Sequence, residues 1–201
     1  MEDQLALPNI HVTVPSSTLE LFTTLLQSGI EVKTTSNQTL GRFLNNFPGF
    51  TAEYLAETVQ TIFLNGTAID DLTLTFEGDK PVLALSAAMP GLAGAIFRKN
   101  SFHSALRTDT GAVPSVTASQ KSITVILKLF NSIARERGGE MLHRGVCISS
   151  AHLTSFLEKR QNLVPHMLTI RAGNKKLTPP DLMSLLYDHP KINLNIVGKD
   201  D

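Results

Sequence analysis

Residues 61–87 read TIFLNGTAIDDLTLTFEGDKPVLALSA, and their punctuation decides how the first half of the chain folds. Asn65-Gly66 stands between two β-compatible runs, and this pair reaches positive φ at the least steric cost, so the segment reads as a tight hairpin. Glu77–Lys80 supplies a second turn. Val82, Ala84 and Ser86 then alternate with Leu83, Leu85 and Ala87. Both faces are apolar or small, which suits a strand in the middle of a sheet. The run from Pro81 to Phe97 holds no charge, yet it is shorter than the roughly 20 residues a spanning helix needs. Pro90, Gly91 and Gly94 interrupt its second half. The spacing predicts a strand followed by an irregular apolar segment, not a membrane span.

Working outward, Ile10, Val12 and Val14 alternate with polar residues and predict a strand. Ser17 and Glu20 have the spacing of a capping box for a helix through Leu19, Phe22 and Leu26, which Gly29 ends. A strand follows at Ile30–Thr35, then a short helix on Leu40, Phe43 and Leu44 and a second helical turn or two over Phe50–Gln60. Thr108–Ser122 is polar, carries Gly and Pro and lacks a period, so it reads as a linker. Beyond it come a strand at Ile123–Asn131 and a weak helix broken at Gly138-Gly139. Next are a strand at Val146–Ser150, a helix on Leu153, Phe156 and Leu157 capped by Ser149 or Ser150, and a hairpin around Gly173-Asn174. A helix capped by Thr178 with proline in its first turn precedes a closing strand at Ile192–Gly198.

The two halves run through the same order of elements. Leu-x-x-Phe-Leu recurs at Leu40 and Leu153, and the hairpin glycines Gly66 and Gly173 keep a similar offset. Element-level repetition of this kind points to two units of related build. The expected domains are residues 1–97, a connecting segment and linker at 98–122, and a second α+β domain at 123–201.

Over residues 9–94 the order strand–helix–strand–helix–hairpin–strand resembles the ubiquitin-like β-grasp. More narrowly it is similar to the sulfur carriers, such as the small subunit of molybdopterin synthase and the thiazole-biosynthesis carrier. TIFLNGTAIDD resembles their Asn-Gly hairpin, EGDKPVLAL their turn into the last strand, and AAMPGLAG stands where a carrier places its glycine-ended tail. The resemblance implies an α+β chain: a β-grasp unit followed by a second, possibly duplicated, β-grasp-like unit. It also implies a partner-binding segment at Met89, Pro90, Gly91, Leu92 and Gly94, beside the basic-apolar stretch holding Arg98 and Phe102. The chain departs from the carriers in one respect that matters. Gly94 is followed by further polypeptide, and the sequence ends VGKDD, so carrier chemistry would need cleavage after Gly94.

Composition narrows the function classes. Hydrophobic residues make up 42% and charged residues 18% of 201, enough for a core and against disorder. Residues 1–94 hold three basic side chains against ten acidic ones, and the remainder holds the opposite excess. The basic half has no dense cationic run and no aromatic-basic motif, so no nucleic-acid partner is expected. One cysteine, Cys147, rules out an internal disulfide and reads as a small buried hydrophobe. The six histidines lack metal-ligand spacing, no Gly-x-Ser-x-Gly elbow is present, and GLAGAIFRKNS lacks the Lys-Ser/Thr of a phosphate loop. Asp70-Asp71 read as turn residues. No cofactor and no membrane partner are expected, and the acidic N-terminal stretch lacks the pattern of a secretion signal, giving a cytoplasmic expectation. The leading expectation is therefore a non-enzymatic protein-binding module. The alternatives are a carrier freed by processing, or an enzyme with a site between the halves holding His103 or His143 with a carboxylate.

Overall fold

The computed structural model describes residues 7–88, 91–99, 101–102 and 120–200. They form a mixed α/β protein that clusters into two compact units. Met1–Ile30 together with Gly138–Asp201 form one, here the split unit, and Glu31–Arg137 form the other, the continuous unit. These are not the consecutive domains 1–97 and 123–201 expected from element order, because strands from opposite halves pair with one another.

The continuous unit contains β2 (Ile30–Thr35), α2 (Leu40–Leu44), α3 (Ala52–Glu57), β3 (Thr61–Leu64), β4 (Thr67–Ile69), β5 (Val82–Ser86), α4 (Gly91–Phe97) and β6 (Ser122–Leu129). Its strands lie in the order β4-β3-β5-β6-β2. The Asn65-Gly66 hairpin forms as expected. Both residues take positive φ, at 52° and 86°, and Leu64 pairs with Thr67 across the turn. β5 is central, antiparallel to β3 and parallel to β6. One sheet face buries Ile62, Leu83, Leu85, Val125, Leu127 and Leu129. The unit's core also takes in the fully buried Leu40, Phe43, Leu44, Phe50 and Leu55, each worth about 1.5–3 kcal/mol of apolar burial. Phe43 meets Phe47 and Phe76 edge-on at 5.3 and 5.0 Å, the geometry favoured by ring quadrupoles.

The split unit contains β1 (Asn9–Pro15), α1 (Ser16–Thr23), β7 (Val146–Ser149), α6 (Ser150–Lys159), β8 (Thr169–Ala172), β9 (Lys175–Lys176), α7 (Pro179–Asp188) and β10 (Lys191–Lys199). The chain passes into this unit's second segment within α5 (Asn131–Arg144). Strand order is β7-β10-β1-β8-β9, with β1 and β10 parallel at the centre. Ile10, Val12, Val14, Ile170, Ile192, Leu194 and Ile196 fill the buried face. Thr178 caps α7 in a full capping box with Asp181, behind Pro179 and Pro180, as the sequence predicts.

Three local expectations are corrected. α1 begins directly after β1, so Pro15 occupies the cap position and no Ser17–Glu20 box forms; the Thr18 hydroxyl instead donates to the Pro15 carbonyl. Ser149 precedes α6 without a side-chain cap bond, and the Ser150 hydroxyl is buried and unpartnered among the described residues. The Gly138-Gly139 pair does not break α5, which runs unbroken from Asn131 to Arg144. Gly138 is buried against the end of α1, where an added Cβ would lie 2.7 Å from Thr23 Cβ and 2.9 Å from Leu26 Cδ1. Its role is close packing, not helix termination.

Three outcomes follow. Gly138→Ala lowers the stability read from urea unfolding by about 1–2 kcal/mol, because overpacking outweighs the helix preference of alanine. Gly139→Ala, whose nearest neighbour is Leu19 Cδ2 at 3.6 Å, is tolerated. A fragment of residues 1–97 lacks β10 and β6, the parallel partners of β1 and β5, and gives a collapsed NMR spectrum without the dispersion of a folded domain; a well-dispersed spectrum would show the first half to be self-sufficient.

Candidate functional site

Alternation along β5 sends Leu83 and Leu85 into the core and leaves Val82 and Ala84 half-buried on the opposite face. Register then builds a surface on that side. Phe63 of β3 lies beside Ala84, and Ala84 lies beside Lys128 of β6. Together with Gly66, Ser86, Phe130 and Asn131 these residues line an open cleft of about 440 Å³. Its polar groups are few. Asn131, at a φ of 54°, donates from Nδ2 to the Ser86 hydroxyl at 2.9 Å. Lys128 is the one cationic residue among those that line it, and most of the others are apolar. Such a lining suits an apolar group carrying one anionic or accepting function.

The segment that the sequence marks for partner binding borders this cleft. Phe97 of α4 packs on Phe63 with centroids 5.3 Å apart. Lys99 donates its backbone N–H to the Gln60 carbonyl at 2.7 Å, and its ammonium reaches the carbonyls of Leu55 and Ala56. Burial pulls the Lys99 pKa below the usual lysine range, with Asp70 opposing the shift. So anchored, the segment turns Leu92 and Phe102 outward, 72% and 95% exposed. Gly91 and Arg98 are also exposed. Gly94 is different: it is buried inside α4, and its carbonyl accepts the Arg98 N–H at 3.1 Å. The expected irregular loop is a helix from Gly91 onward. Met89 and Pro90 lie outside the described residues, as do His103 and most of the expected linker.

The remaining candidates separate. Asp71 accepts from the Thr73 N–H and hydroxyl, both at 2.7 Å, and these bonds hold its carboxyl below the ordinary value. That is the turn role the sequence assigns it. Cys147 is half-buried rather than buried, on the face of β7 opposite Val146 and Ile148. His143 is exposed near the end of α5. Among the described residues no three His, Cys, Asp or Glu side chains cluster closely enough to hold a metal ion, and no helix is long and apolar enough to cross a membrane. The cleft residues Phe63, Ala84, Lys128 and Phe130 were not legible as a site beforehand. Their only signal is the alternation in residues 82–86 and 123–130, and nothing local says that these two strands pair.

No protein-family model matches the chain, and no curated protein and no solved structure is significantly similar to it. The likeness to the sulfur carriers rests on the quoted segments alone.

One titrating group in the continuous unit has a clear signature. The Tyr54 hydroxyl donates to Glu136 Oε2 at 2.9 Å, and the Arg137 guanidinium stacks 3.9 Å above its ring. Burial first, then the bond to Glu136, pushes the phenol up to about 12. An unfolded tyrosine ionises near 10, so the contribution to stability is complete below about pH 10 and is lost as pH rises toward about 12. Urea midpoints measured across that window fall for the native chain; in Tyr54→Phe this part of the fall disappears.

Proposed function

We propose that the protein is a non-enzymatic binding module that recognises a protein partner through the α4 segment and the apolar cleft beside it. The observation that carries this reading is the firm anchoring of a segment whose large apolar side chains, Leu92 and Phe102, are left outward. An anchored segment loses little conformational freedom on binding, which keeps the cost of association low. The adjoining cleft offers a pocket for an apolar anchor from the partner, with Lys128 to orient it. Exposed apolar surface next to a concavity is the usual mark of such sites.

The same reading extends to ancestry. Each unit centres on a parallel strand pair flanked by an antiparallel hairpin, and we read both as β-grasp-like cores assembled from the two halves of the chain. The carrier alternative, with a tail released after Gly94, is the weaker proposal. Gly94 is enclosed in α4, and a protease needs locally unfolded chain to reach the following bond.

Replacing both Leu92 and Phe102 with serine tests the module reading. Affinity capture from native extract, quantified by mass spectrometry, then finds a partner bound by the native chain and by Tyr187→Ser, whose exposed ring lies in the split unit. The double variant weakens that partner's binding about 30-fold, the cost of losing one hot spot. Equal capture by all three chains would remove the reading. A native fragment ending at Gly94 with sulfur replacing one terminal oxygen would instead establish the carrier.

A further inference from the structure

We propose that the open face of the split unit's sheet docks an acidic polypeptide segment. The five strands of this unit read NIHVTVP, VCIS, TIRA, KK and KINLNIVGK. They contain no aspartate or glutamate and no Phe, Tyr or Trp. With Ile10, Val12, Ile170, Leu194 and Ile196 turned inward, alternation places Asn9, His11, Asn193, Asn195 and Arg171 on the other face.

Register aligns these residues into a row across four strands. Asn195 lies beside His11, His11 beside Arg171, and Arg171 beside Lys176. Arg171, Lys176 and His11 are all exposed. Like charges placed directly opposite across a strand pair destabilise a sheet, so Arg171 against Lys176 is an arrangement that folding alone does not favour. Among the described residues, the carboxylates of this unit do not relieve it. Glu140 is 2.9 Å from Arg144. Asp181 is engaged by the N–H and hydroxyl of Thr178 and faces Lys175. Glu20, Glu158 and Asp188 belong to the helices or their ends, and Asp200 follows β10.

Beside the cationic row runs an amide row. Asn193 Nδ2 donates to Asn9 Oδ1 at 3.1 Å, His11 Nδ1 and Asn195 Oδ1 lie 3.3 Å apart, and Asn195 Nδ2 donates to the His143 carbonyl. Asn9, His11, Arg144, Asn193 and Asn195 border a shallow cleft of about 300 Å³. Carboxamides both donate and accept, which matches peptide backbone, while the cations match side-chain carboxylates. A single-stranded nucleic acid would want a series of rings to stack on, and the strands here offer His11 alone, with no Phe, Tyr or Trp; a duplex would want an element able to enter a groove, and the sheet is broad. An acidic peptide fits the chemistry best. This site is separate from the α4 segment and does not depend on it.

The test is fluorescence anisotropy of a labelled peptide of alternating glutamate and serine, titrated with the full chain. Saturable binding that weakens with added salt is expected. Arg171→Gln with Lys176→Gln weakens it about tenfold, the upper range for two exposed ion pairs, whereas Lys159→Gln on α6 leaves it unchanged. Lys176→Glu separates binding from folding: it pairs with Arg171, raises Tm, and still lowers peptide affinity. Absence of saturable binding, or binding indifferent to the double variant, overturns the proposal. Tighter binding of a charge-matched oligothymidylate, lost in the same double variant, overturns the polypeptide assignment in favour of nucleic acid.

Discussion

Two parallel strand pairs hold this protein together, and each joins pieces of chain that a tight turn cannot connect. β1 lies against β10, so that Asn9 is level with Asn193. β5 lies against β6, so that Val82 is level with Ile126. Parallel neighbours require a crossover. In the split unit that crossover is nearly the whole sequence, and closing it costs entropy before any contact repays it. The long strands β1 and β10 meet that cost with seven paired positions and with Ile10, Val12, Val14, Leu194 and Ile196 buried together.

The pairing explains why neither sequence half is a unit by itself. β1, together with α1, leaves the rest of the first half, and β1 joins β10 and β8, while β6 leaves the second half and joins β5. The sheet of each unit then has one face filled with branched aliphatic side chains and another left more open. In the continuous unit the open face is apolar, with Phe63, Val82 and Ala84 around a lysine. In the split unit it is amide-rich and cationic. The same geometry thus yields two surfaces of different chemistry.

Charge shows how folding redistributes a sequence property. Along the chain the first 94 residues are acidic and the rest basic. Between the units the contrast vanishes: residues 1–30 and 138–201 hold eight basic and nine acidic side chains, and residues 31–137 hold ten and nine. The separation reappears within the split unit, where among the described residues the strands carry cations only and the acidic side chains sit on helices, at their ends or just after β10. Charge segregation here belongs to faces, not to halves.

Local elements were legible because their causes are local. Asn65-Gly66 forces a turn, Thr178 with Asp181 caps a helix, and the alternation from Ile10 to Val14 makes a strand wherever it is placed. Gly138 misled because its neighbours Thr23 and Leu26 are more than a hundred residues away, and a glycine chosen for contact looks the same in sequence as one chosen for a stop. Gly94 likewise reads as the end of a tail but is a buried position in a helix. The amino-acid order by itself determined most of the strands and helices and which faces of them are apolar, since period and capping act over a few residues; α4 and the continuity of α5 were not among them. Only the tertiary structure decided which strands are neighbours, and with that which residues share a surface, because the free energy of pairing and burial depends on partners that no local pattern names.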